Sequence, residues 1–106
     1  MNAPIFIPRD FFAPIASERV LVPALKRQLV TAAVLGGGGA NGEWVSPAVL
    51  RKASRFWREG PGHAVREKPV RGVLSVLLEL EQFGLVLHFE SAEGGGYLVT
   101  PKEAAA

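Results

Sequence analysis

The chain has 106 residues, 48% of them hydrophobic and 21% charged, which suits one small globular domain and argues against wholesale disorder. It contains no cysteine, which excludes a disulfide framework and any thiolate metal site and is compatible with a reducing, cytoplasmic setting. The formal net charge is only +2, but seven basic residues between Arg51 and Arg71 stand against Glu59 and Glu67, a local +5 that leaves −3 for the rest. One basic zone on an otherwise acidic domain points to an anionic partner; the plainer alternative is a solvated helix face.

Residues 1–16 form a proline- and aromatic-rich arm, in which Pro4, Pro8 and Pro14 interrupt Ile5, Phe6, Ile7, Phe11 and Phe12. Proline at this density favours extended backbone, and side chains this apolar predict packing on the arm's own domain or on another subunit. The stretch lacks the basic start and continuous apolar run of a signal peptide. Residues 17–101 are expected to form the domain proper, with a short tail at 102–106. Pro23 suits a first helical turn, and Leu25, Leu29, Ala32 and Ala33 recur at spacings of three and four, predicting a helix over about 23–35. Lys26, Arg27 and Gln28 interrupt it, so no membrane span is expected. The glycine run from Gly36 to Gly42 follows a helix and lacks a Gly-Lys-Ser/Thr ending, which predicts a connector in place of a phosphate loop.

The short β-prone "EWVS" is a candidate third strand, and Ser46-Pro47 supplies an N-cap and a first helical residue for a second helix over about 47–58. On a helical wheel Leu50, Ala53 and Trp57 share one face, flanked by Val49 and Phe56, while Arg51, Arg55 and Arg58 occupy the opposite face beside Lys52. Gly60-Pro61-Gly62 breaks the chain. A third helix is predicted over about 67–83, with Val73, Val76, Leu77, Leu80 and Phe83 on its core side and Gly84 as a left-handed cap. Two strands, Leu85–Phe89 and Tyr97–Thr100, then flank the tip "ESAEGGG".

Helix, short strand, helix, turn, helix, hairpin is the order of the winged helix-turn-helix domains. The stretches "VLSVLLELEQFGLV" and "GGGYLVTP" resemble that superfamily, through Leu77, Leu80, Glu81, Phe83, Gly84, Leu85, Val86, Tyr97, Val99 and Thr100. The likeness covers roughly residues 20–101 and extends both to MarR-type regulators and to the C-terminal winged domains of archaeal origin-recognition initiators. It implies an α+β fold of three helices with a small antiparallel sheet and a β-hairpin wing.

The resemblance also implies a DNA-binding role, in a small regulator or an accessory nucleic-acid factor. The third helix would enter the major groove, with Lys68, Arg71 and Ser75 facing it, while Arg51, Lys52, Arg55 and Arg58 hold backbone phosphate and Arg66 is a further DNA-binding candidate. Two features depart from the pattern. Glu90 and Glu93 lie in a wing where a minor-groove binder places Arg or Lys, and Gly94-Gly95-Gly96 makes ordering that tip entropically costly. Val70, Leu74 and Leu78 widen the third helix's apolar stripe beyond one core face, through burial under the arm or through a dimer or partner surface. Phe11, Phe12, Val70, Leu74 and Leu78 are therefore candidates for an interaction surface. The alternative function is a protein–protein interaction module on the same scaffold, self-association included, with the acidic wing off the DNA.

No catalytic constellation is expected. His63 and His88 lack partners at metal-ligand spacing, Glu79 and Glu81 fall about 200° apart on their helix, and no serine sits in a nucleophile elbow. The sequence calls for no cofactor and no metal. Trp44 and Trp57 suit the core better than a base-stacking platform.

Overall fold

The structure is a computed structural model and describes residues 4–13, 22–36 and 46–102. Their order is β1 (Ile5–Ile7), α1 (Pro23–Gly36), α2 (Pro47–Arg58), a 3-10 turn (Pro61–Val65), α3 (Val73–Gln82), β2 (Val86–Ser91) and β3 (Tyr97–Pro101). The described residues thus form an α+β arrangement of three helices and one three-stranded antiparallel sheet. No helix among them is long and apolar enough to cross a membrane.

The sheet runs β1–β3–β2, so its third strand comes from the N-terminal arm. Pro4 and Pro8 bracket that strand, which is where residues without a donor N–H can sit without breaking a ladder. Ile5 pairs with Val99, Phe6 with Leu98 and Ile7 with Tyr97. The strand expected at 43–46, Trp44, and the glycine run beyond Gly36 lie outside the described residues, apart from Ser46. The β2–β3 pairing slips between Val86 and His88, a bulge at Leu87. Glu90 lies within β2 opposite Leu98, not at the tip as expected, and the tip is closed by Ala92 N–H to Gly96 O at 3.0 Å and Gly95 N–H to Ala92 O at 3.1 Å.

The core gathers Ile7, Val30, Val34, Trp57, Val76, Leu77, Leu80 and Val99 from every layer. Phe11 also belongs to it, and Phe12 packs half-buried against it, edge-on to Phe11. Both are therefore drawn into the chain's own interior and away from the expected interaction surface. Val70 is buried as well, so it too leaves that surface.

The buried side of α1 includes the expected Ala32 and Ala33 but is broader than their spacing suggests. Arg27, Val30, Thr31 and Val34 are buried with them, while Leu25 and Leu29 are only partly so. Arg27 can join that side because its charge is compensated inside the fold. α3 is also shorter than expected, beginning at Val73 instead of 67. Pro69 disfavours helical backbone at Lys68, and Lys68 N–H closes the 3-10 turn on Val65 O at 2.9 Å. Gly72, fully extended, then serves as N-cap. At the other end Gly84 adopts φ +82°, its N–H bonded to Glu81 O at 3.1 Å and that of Leu85 to Leu80 O at 2.9 Å, a Schellman closure that ends the helix as the sequence predicts.

Gly62 lies against the aromatic pair of α2. A Cβ there would enter Trp57 Cε3 and come within 2.8 Å of Phe56 Cε1. Gly62→Ala is expected to lower stability by about 1–3 kcal/mol, measured as a shift in the urea midpoint, because two packed rings must move.

Candidate nucleic-acid interface

The basic face is built on α2. The Ser46 hydroxyl accepts the Val49 N–H at 3.4 Å and Pro47 opens the first turn, while Glu59 N–H returns to Arg55 O at 2.8 Å to end the helix. Ala53 and Trp57 anchor the inner side, and the Trp57 indole N–H donates to Thr31 Oγ1 at 2.7 Å. This satisfies a buried donor and fixes the rotation of α2 against α1. Arg51, Lys52, Arg55 and Arg58 consequently face solvent, as the wheel predicts. Arg55 and Arg58 also lie in the last turn, where the helix dipole favours cations.

The loop after the 3-10 turn extends this face. It is pinned at two points: Val70 is buried, and the Arg66 carbonyl accepts a hydrogen bond from Arg27 Nη1. Between the pins, Arg66 pairs with Glu67 at 3.3 Å on the surface, and Lys68 is exposed. Arg71 is exposed just ahead of α3. None of Arg51, Lys52, Arg55, Arg58, Lys68 and Arg71 forms an ion pair among the described residues. Arg58 and Arg66 share an open cleft with Pro23, Ala24 and Trp57, and Lys52 and Arg55 border a second groove with Phe56 and Glu59.

Arg27, which composition and periodicity did not single out, organises the site from beneath. It is 1% exposed, and its Nε and Nη2 meet the two carboxylate oxygens of Glu79 at 3.0 and 2.8 Å. Its guanidinium also lies 5.4 Å from the centre of the Trp57 ring. One buried cation therefore links α1, α2, the basic loop and α3. A charge on a helix gives no sign that a partner 52 residues later will bury it.

The outer side of α3 is different in character. Lys68 and Arg71 precede the helix, so its exposed surface holds Leu74, Leu78, Glu81 and Gln82, with Ser75 half-buried at the margin. The two leucines remain open to solvent, 44% and 52% exposed. At the hairpin tip Glu93 is exposed, but the tip is not without a cation. The Arg9 guanidinium lies across Gly95, 3.5–3.7 Å from where a Cβ would stand. That neighbour is legible only once β1 is known to pair with β3. The exposed His63 and His88 lie on the 3-10 turn and on β2, and no group of three or more His, Cys, Asp or Glu among the described residues is placed to hold a metal.

The chain matches no protein-family model, no curated protein and no solved structure.

Proposed function

We propose that the chain is a winged-helix domain that grips duplex DNA through its phosphates and not by reading bases with its third helix. The observation that carries this is the row of exposed cations on α2, which form no ion pair among the described residues, continued by Arg66 and Lys68 on a loop pinned from below. Phosphate contacts set position and affinity without needing a sequence-specific geometry. The helix that would enter the major groove presents Leu74, Leu78 and Glu81, which offer little to a base edge. Glu90 and Glu93 repel phosphate, so the wing stays off the duplex in spite of Arg9.

The test is fluorescence-anisotropy binding to a generic duplex across a salt series. With about five phosphates neutralised, log affinity falls against log salt with a slope of about −4 to −5. Arg55→Ala weakens binding alike on unrelated sequences and makes the slope shallower by about one. Absence of binding even at low salt rejects the proposal and turns the search toward a protein partner.

A further inference from the structure

The exposed side of α3 and the residue just ahead of it carry a self-complementary order. Arg71 before the helix and Leu74, Leu78 and Glu81 on it follow one another in the sequence at steps of three, four and three, which read the same in both directions. Leu74, Leu78 and Glu81 lie on one exposed side of the helix, opposite Val73, Val76, Leu77 and Leu80 in the core. Arg71 stands at the helix's approach. The charged side chains at the two ends are exposed and neither has a partner among the described residues.

We propose that this face pairs with the same face of a second copy of the chain, antiparallel and about a two-fold axis midway between Leu74 and Leu78. Such an axis sets Leu74 of each copy against Leu78 of the other, and brings Arg71 of each toward Glu81 of the other. It is an isologous contact, the arrangement that closes at two copies. Along the helix axis Glu81 lies about 7–8 Å from the midpoint, and Arg71, ahead of the helix, at most about 11 Å. The length of an arginine side chain covers the difference. A parallel pairing would instead oppose Arg71 to Arg71 and Glu81 to Glu81, and repulsion disfavours it. Two leucines per copy bury little area, so the dimer is weak and concentration-dependent. The contact uses no residue of the α2 basic face, and its test requires no DNA.

The experiment is sedimentation of the full chain without DNA, at low salt and over a wide concentration range. The wild type is expected to shift from monomer to dimer with concentration. Leu78→Glu, Arg71→Glu and Glu81→Arg each weaken the dimer by about tenfold or more. All three change exposed residues, and unchanged circular dichroism shows that the fold is intact. Dimerisation of the wild type marks the antiparallel orientation, and the charge contacts are then tested by mixing the Arg71→Glu and Glu81→Arg chains in equal amounts. Both cross-contacts become attractive in the mixture, and a heterodimer forms where neither chain dimerises alone. A wild type that stays monomeric at its highest soluble concentration overturns the proposal. So does a dimer indifferent to Leu78→Glu, or a mixture that remains monomeric.

Discussion

Glu79→Ala is expected to destabilise the protein by about 3–5 kcal/mol, because it leaves the Arg27 guanidinium, 1% exposed, without its counter-charge. Glu79 itself keeps 15% exposure, which allows some water to reach the site and favours the lower end of that range. Urea unfolding followed by tryptophan fluorescence reads the effect as a drop in midpoint at constant slope. Replacing the pair together, Arg27→Met with Glu79→Leu, removes both charges and is expected to recover most of the loss. Recovery stays incomplete because Met cannot donate to the Arg66 carbonyl. The basic loop loses one of its two pins in the double variant, so the DNA binding proposed above is expected to fall even where stability returns. A single variant that unfolds like the wild type would mean that the pair is solvated and does not organise the interface.

Removal of residues 1–15 is expected to abolish the cooperative fold. The deletion takes β1 from the sheet and the buried Ile7 and Phe11 from the core. Truncation to alanine alone costs about 2–5 kcal/mol at a buried isoleucine and about 3–5 kcal/mol at a buried phenylalanine. Domains of this size have about 5–15 kcal/mol to lose. The shortened chain should show no sigmoidal urea transition and a flattened near-ultraviolet dichroism spectrum. Phe11→Ala in the full chain, a milder change, should keep the transition at a lower midpoint. A shortened chain with the wild-type midpoint would show that the arm only rests on the domain.

The parts of this architecture that the sequence made legible are those with local causes. α2 is marked by Ser46-Pro47 and a clean division of apolar and basic faces, and the end of α3 by a glycine that accepts positive φ. The start of α3 is not legible because Val70 continues the apolar spacing, whereas Pro69 and Gly72 set the boundary. The strand expected in "EWVS" lies outside the described residues, apart from Ser46. Ile5–Ile7, too short to show alternation, is a strand only because β3 offers it an edge. The cations of α2 could be placed from the wheel, but Arg27 beneath them could not, since nothing near it in the chain announces Glu79. Arg9 at the hairpin tip depends likewise on a pairing between distant segments.

The pairing of Ile5 with Val99 has a consequence for how the molecule is made. Ile5–Ile7 leaves the ribosome some ninety residues ahead of the only strand that bonds to it among the described residues. At about 5–20 residues per second, Ile7 and Phe11 wait about 5–20 s before the sheet can close around them. During that interval an apolar arm is free to meet chaperones or other nascent chains. Closing so long a loop is also slow by its nature, so the sheet assembles late, after the local helices have had time to form.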